Sequence, residues 1–263
     1  MMHKMTTTTP TINSDHDNVQ KNLAVIEMKH LEKSFGDKHV LRDINLRVNN
    51  GENLVILGKS GTGKSVIIKC IVGLIEHDQG DLVLFGQNVS GLTERELQEI
   101  RKKIGFLFQS GALYDSMSVR ENLEFPLRRQ FHSMPVDKVN TLVMEALHNV
   151  GLAETIDMPP SELSGGMRKR LGLARTLILK PEVMLYDEPT TGLDPITSKE
   201  ISSLILDVQK IYKTSSIIIT HDIECARRTA NRIIVIKEGI CAAEGSFTEL
   251  QNSPDAWVRS FFE

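Results

Sequence analysis

Four short stretches of this chain hold residue types and spacings that can handle phosphate. Gly58-Lys59-Ser60-Gly61-Thr62-Gly63-Lys64-Ser65 fits G-x-x-x-x-G-K-[ST] and stands between two apolar runs, Leu54 to Leu57 before it and Val66 onward after it. Glycines in such a loop let main-chain N–H groups turn inward around phosphate oxygens, and a helix start behind them adds positive potential. Lys64 is then placed for terminal phosphates and Ser65 for a divalent cation. Val183 to Tyr186 is an apolar strand ending in Asp187 and Glu188. Beside a phosphate loop, Asp187 suits holding Mg²⁺ through its water shell and Glu188 suits polarising an attacking water. His221 follows another apolar strand, Ile217 to Thr220, at the end that faces the ligand crevice in an open parallel sheet.

The fourth stretch is Leu163-Ser164-Gly165-Gly166-Met167. Ser164 can cap the helix that follows, while Gly165 and Gly166 leave its first N–H groups open to an anion. Taken alone this is an ordinary serine-capped helix. Beside a complete phosphate loop it is a second phosphate seat in one chain, and that surplus asks for a second chain.

These residues need a scaffold of parallel strands and helices, and the pattern supplies one. Leu23 to Met28 reads as a strand, and Ile44, Leu46 and Val48 alternate toward Asn50-Gly51, a hairpin signal that implies an antiparallel edge ahead of the nucleotide core. A helix is expected over Lys64 to Leu74, and Thr93 with Glu96 and Ser118 with Glu121 form two capping boxes. Helical spacing dominates between Gln109 and Ser164, clearest in Val136, Val139, Leu142, Val143, Ala146, Leu147 and Val150. The α/β alternation then resumes, with helices opened by Ser164, Asp194-Pro195 and Asp222 and a last strand at Ile233 to Ile236. Residues 1–22 read as a polar, Thr-rich tail, 23–250 as one α/β domain with a helical insert at about 110–163, and 251–263 as an amphipathic tail.

Composition narrows the function classes. The chain has 263 residues and a net charge of −3, so it can bury a sizeable core but is not built to hold nucleic acid by charge alone. The basic run Arg168-Lys169-Arg170 is the only cue toward nucleic acid, and it reads as a solvated helix face or as packing. Three cysteines without a CxxC pair read as reduced and structural, and no apolar run is long enough to span a membrane.

Together the motifs resemble the ATPase subunit of ABC transporters from about Val25 onward. The resemblance implies a P-loop NTPase fold of α/β class with an antiparallel β edge subdomain and a helical insert. It implies that ATP is bound by Gly58, Lys59, Ser60, Gly61, Thr62, Gly63, Lys64, Ser65 and Val66, with Phe35 stacked on adenine and Val40 beside the base. It implies Mg²⁺ at Ser65, Gln109 and Asp187, a catalytic Glu188, a switch His221, and Asp194 in the D-loop. Ser164, Gly165, Gly166 and Met167 stand at the signature, which in this family completes the ATP site of a second copy docked head to tail. Met167 departs from the usual glutamine and cannot offer its amide hydrogen bond.

Two further stretches are similar to the ATPase of Mla-type lipid transport systems: Gly105 to Arg129, which runs through Gln109 into the segment that follows it, and the C-terminal Gly245 to Glu263, where Trp257, Val258, Phe261 and Phe262 suit an amphipathic helix. That similarity implies a motor for phospholipid transport, a membrane permease contacted near Gln109 to Leu127, an MCE-domain substrate-binding subunit, and a peripheral position on the cytoplasmic face of a bacterial inner membrane. The alternatives are an importer ATPase for a polar solute, and a non-transport ABC ATPase. The second would carry a long coiled coil or tandem ATPase units, and this chain has neither. The C-terminal helix has two readings, folded back on its own domain or reaching another chain.

Overall fold

A computed structural model of the protein describes residues 24–263. The stretch read as an N-terminal tail, 1–22, and Leu23 lie outside the described residues.

The strands are β1 (Ala24–Phe35), β2 (Lys38–Asn49), β3 (Asn53–Gly58), β4 (Gln79–Leu84), β5 (Gln87–Asn88), β6 (Ile104–Leu107), β7 (Val183–Asp187), β8 (Ser215–Ile219), β9 (Arg232–Lys237) and β10 (Ile240–Gly245). They form one sheet in the order β5-β4-β1-β2-β10-β9-β3-β8-β7-β6. From β9 to β6 every pairing is parallel. β1 pairs antiparallel with β2 and β4, and β10 joins this half to the parallel half by lying antiparallel on β9 and meeting β2 at Ile240 and Asp43. The two halves differ in sequence as physics requires: β3, β7 and β8 are apolar-rich runs buried at every residue, whereas β2 alternates buried and exposed positions over most of its length.

The helices are α1 (Lys64–Ile71), α2 (Glu94–Arg101), α3 (Val119–Gln130), α4 (Val136–Asn149), α5 (Gly165–Leu177), α6 (Pro195–Tyr212), α7 (Ile223–Thr229), α8 (Phe247–Gln251) and α9 (Ala256–Arg259). Both capping boxes form, at the starts of α2 and α3. Side chains alternate across the parallel sheet, so Leu54 and Ile56 of β3 enter a core shared with α1 and the antiparallel strands. Val55 and Leu57 enter a second core with α5, α6, α7 and the C-terminal helices. A third core lies between α3, α4 and α5, around Leu123, Val143 and Leu171.

Two expectations are corrected. The hairpin is not at Asn50-Gly51: β1 and β2 turn at Gly36-Asp37, where Phe35 pairs with Lys38. The Asn50-Gly51 turn instead carries the chain away from its neighbour, since β2 pairs with β1 and β10 while β3 pairs with β8 and β9. The helix expected to Leu74 ends at Ile71, because Gly73 enters the left-handed region at φ 69° and the N–H groups of Gly73 and Leu74 close back on Cys70 and Lys69.

The C-terminal segment folds back on its own domain. Val258 and Phe262 are buried in the second core, Trp257 and Phe261 meet edge to face at 4.9 Å, and the Lys237 ammonium lies 4.5 Å from the Trp257 ring. Burial pushes the thiols of Cys70 and Cys225 up to about 11, which leaves them protonated and inert. Among the described residues no helix is long and apolar enough to cross a membrane.

Candidate functional site

The glycine loop leaves β3 at its C-terminal end, where parallel strands open toward a crevice. Gly63 is the N-cap of α1 at φ 97°, a backbone state that a side chain would strain, and no side chain caps the helix. A Cβ at this position would also come within 2.8 Å of Leu41 and 3.0 Å of Val40, so Gly63 lets β2 close against the loop. The first N–H groups of α1 thus have no side-chain acceptor, which suits an anion. The Lys64 ammonium is buried and donates to the carbonyls of Gly58 at 2.8 Å and Lys59 at 3.0 Å. Burial lowers its pKa, against the opposing fields of Glu188 and Asp187.

The loop floors a cavity of about 720 Å³, a volume suited to a nucleotide. Gly58, Lys59, Ser60, Gly61, Gly63, Lys64, Ser65 and Val66 line it, together with Val40, Gln109, Glu188 and His221. Thr62 is turned aside, its hydroxyl donating to the Lys59 carbonyl at 2.9 Å. Asp187 sits behind Ser65, whose hydroxyl donates to its carboxylate at 3.0 Å. Burial raises the pKa of Asp187, and the Ser65 hydroxyl only partly offsets this. A desolvated carboxylate beside a hydroxyl, with Gln109 on the same cavity wall, fits a hard divalent cation that keeps water and phosphate ligands. Among the described residues no three His, Cys, Asp or Glu side chains gather into a metal cage.

Glu188 follows the last residue of β7 and is held from several sides. Its main chain lies at φ 51° and its N–H donates to Ile219 at 2.9 Å. One carboxylate oxygen accepts from the Thr191 hydroxyl at 3.0 Å and from His221 Nδ1 at 2.8 Å. The carboxylate therefore has a fixed aim into the cavity, with its second oxygen free of these two donors. A left-handed conformation at a glutamate costs energy and is held only where the surroundings enforce it.

Besides Thr62 and Asp187, the residues read from sequence that do not line this cavity are Phe35, Asp194 and the signature residues Ser164, Gly165, Gly166 and Met167. Phe35 ends β1 opposite Lys38, which does line the cavity, but the residue is 48% exposed and its ring centroid lies 5.5 Å from the Lys33 ammonium. Asp194 caps α6, accepting from the N–H groups of Ile196 and Thr197 at 3.0 Å. The Thr197 hydroxyl holds its pKa down. Ser164 caps α5, accepting from the Met167 N–H at 3.2 Å. Ser164 and Gly165 are exposed, and the Met167 side chain packs against the third core. Sequence reading missed Lys38, Leu57, Thr191, Ile223 and Phe261, which also line the cavity. Thr191 was within reach of a spacing argument, three residues after Glu188; Phe261 was not, because only the folded-back C-terminus brings it there.

A glycine loop opening a helix behind a parallel strand, facing a strand-end carboxylate pair and a histidine, defines a P-loop nucleotide-hydrolysing enzyme. Residues 41–191 match the ABC transporter family. The chain is 38% identical, over 92% of its length and 91% of the relative's, to the intermembrane phospholipid transport system ATP-binding protein MlaF of Haemophilus influenzae. It is 34% identical, over 89% of its length and 73% of the relative's, to the methionine import ATP-binding protein MetN of Clostridium acetobutylicum. Its fold matches a dimeric ATP-binding cassette in a post-hydrolysis state bound to ADP and Pi, with a TM-score of 0.76, 31% identity and coverage of 84% of this chain and 98% of the other. The chain belongs to the ABC transporter family, as the subunit that binds and hydrolyses ATP to drive transport.

Proposed function

We propose that this chain is the motor of a phospholipid transporter working between two bacterial membranes, and that it works as a head-to-tail dimer of two identical chains. In this reading ATP lies on Gly58 to Val66 of one chain, with Val40 and Phe35 at the base, and is closed over by Ser164, Gly165, Gly166 and Met167 of the other. Glu188 takes a proton from the attacking water while His221 and Thr191 hold its carboxylate. Lys64 binds the terminal phosphates. Ser65, Asp187 and Gln109 would hold Mg²⁺, which when bound neutralises phosphate charge. Asp194 stabilises the D-loop at the start of α6, next to the opposing chain. Loss of the γ-phosphate removes the charge shared by the two chains, and they part.

The observation that carries the catalytic part is the aim of the Glu188 carboxylate, fixed from Thr191 and His221 over the phosphate loop. The dimer is supported by the exposed, serine-capped start of α5 outside the cavity, and by the dimeric cassette whose fold this chain shares. In this reading a membrane permease docks against a groove of about 570 Å³ beside the Gln109 to Leu127 segment. Its walls include Tyr114, Phe125 and Pro126, and the basic Arg101, Arg129 and Arg175. The permease holds the chain on the cytoplasmic face of the inner membrane, and an MCE-domain subunit completes the system.

The lipid cargo rests on the similarity to the phospholipid transport protein, and the similarity to the methionine importer keeps a polar solute as the second reading. Isolating the full chain with its native membrane partners and analysing what comes with it separates them. Phospholipid and a membrane-anchored MCE-domain protein are expected. A periplasmic solute-binding protein with no bound lipid would transfer the motor to the second reading.

A further inference from the structure

The middle residue of the basic run on α5 behaves unlike its neighbours. Arg168 reaches Asp115 at 3.6 Å and Arg170 pairs with Glu200, both toward the surface. Lys169 turns inward and is only 7% exposed. Its ammonium donates to the Gln109 carbonyl and, at 3.3 Å, to the Glu188 carbonyl. Among the described residues no carboxylate forms an ion pair with it; two main-chain carbonyls from separate loops hold the ammonium, within the fields of Glu188 and Asp187.

Its position along the helix matters as much as its partners. Gly166, Lys169 and Gly172 are buried and spaced by three, each beside the one before it on a stripe that winds part-way round α5. A Cβ on Gly166 would come within 2.5 Å of Thr197 at the start of α6, and a Cβ on Gly172 within 3.1 Å of the Gly111 backbone. This stripe therefore touches the α6 start, the Glu188 main chain and the Gln109 to Gly111 loop in turn. Glu188 is itself in the left-handed region at φ 51°, a strained state that needs outside support, and its carbonyl receives that support from Lys169.

We propose that Lys169 is a positioning residue: it ties the Gln109 loop and the Glu188 main chain to α5, so that a displacement of the exposed α5 start is carried to the carboxylate that activates water in the same chain. The inference rests on the reading of Glu188 as the base and of Ser164 to Gly166 as the seat of the other chain's nucleotide. It makes each chain a rigid link between the two ATP sites of a dimer. ATP closing on the α5 start at one site then sets the aim of Glu188 at the other.

The test uses the full chain isolated with its native partners and compares Lys169→Met, Lys169→Arg and Glu188→Gln with the unaltered protein. Lys169→Met keeps the length and apolar stem but has no donor. It is expected to lower kcat by about tenfold to a hundredfold, the scale of a small misplacement of a reacting group, with half-saturating ATP within about twofold of normal. Amide hydrogen exchange should rise together in residues 109–113 and 188–192 and stay unchanged in β3 and α4. Lys169→Arg can donate to both carbonyls and is expected to recover kcat to within about threefold. Should the methionine variant fail to fold, the arginine variant decides: normal kcat supports the link, and loss of kcat in a folded protein overturns it. A folded Lys169→Met with normal kcat, or with unchanged exchange in both loops, also overturns it. Glu188→Gln keeps the parent reading separate. Hydrolysis at the normal rate in that variant removes Glu188 as the base, whereas loss of hydrolysis in Glu188→Gln beside a fully active Lys169→Met removes only the role given to Lys169.

Discussion

Two helix starts in this chain are preceded by glycine or serine and could each receive phosphate, yet they are finished differently. α1 begins at a left-handed Gly63 with no side-chain cap, inside a cavity, with Lys64 buried at its first position. α5 begins behind Ser164, which satisfies the Met167 N–H, and its exposed Ser164 and Gly165 lie outside the cavity that α1 faces. The first start has its walls and its cation in place. The second has only donors, held in position by packing behind it: Gly166 on Thr197, Lys169 on two carbonyls and Gly172 on Gly111. A phosphate seat with its back built and its front open is what the proposed shared site requires of each half.

The strongest way to break this contrast is to remove the cation from the finished half. Lys64→Ala takes away the ammonium that would face the terminal phosphates, and with it a charge-assisted contact. Nucleotide binding to the isolated chain should weaken by about a hundredfold, measured by calorimetry or fluorescence with an ATP analogue. Near-normal affinity would show that the α1 start binds phosphate without it, and the two starts would then be less different than their geometry implies.

Ser164→Ala addresses the other half and should separate binding from turnover. Loss of an N-cap serine costs about 1 kcal/mol of stability and loosens the first turn of the helix. Affinity of the isolated chain for ATP should stay within about twofold, because Ser164 does not line the cavity. ATP-driven association of two chains and the hydrolysis that follows should both fall, by about tenfold, as read by sedimentation and phosphate release. A variant that dimerises and hydrolyses normally would leave α5 with a purely structural cap.

The same contrast marks what the sequence could and could not convey. The α1 start was legible because its chemistry is local: strand, glycines, lysine and serine are consecutive, and the geometry follows from their order. Asp187, Glu188 and His221 were legible as strand ends, since the buried runs of β7 and β8 point to where a parallel sheet opens. Lys169 was not, because Arg168-Lys169-Arg170 reads as one solvated face, and what draws the middle residue inward is a loop 60 residues earlier in the chain. The misplaced hairpin has the same origin. Asn50-Gly51 has the right turn chemistry, but strand neighbours are chosen by distant segments, here β8 and β9 for β3 and β10 for β2. Phe261 reaches the cavity only because the C-terminal helices dock through Val258 and Phe262.

The smallest expected effect tests the edge of the finished half. Phe35 stands at the β1–β2 turn opposite Lys38, outside the cavity wall, half exposed, with its ring under Lys33. If the ring stacks on adenine, Phe35→Ala should remove an aromatic contact worth about 0.5–1.5 kcal/mol, or about two- to tenfold in affinity. The loss should be the same for ATP and ADP, since the base is common to both, and should leave kcat at saturating ATP unchanged. Equal affinity in the variant would move the base seat inward to Val40, which lines the cavity and already touches the loop through Gly63. The nucleotide would then be held almost wholly by its phosphates, and the contrast between the two helix starts would account for nearly all of the binding.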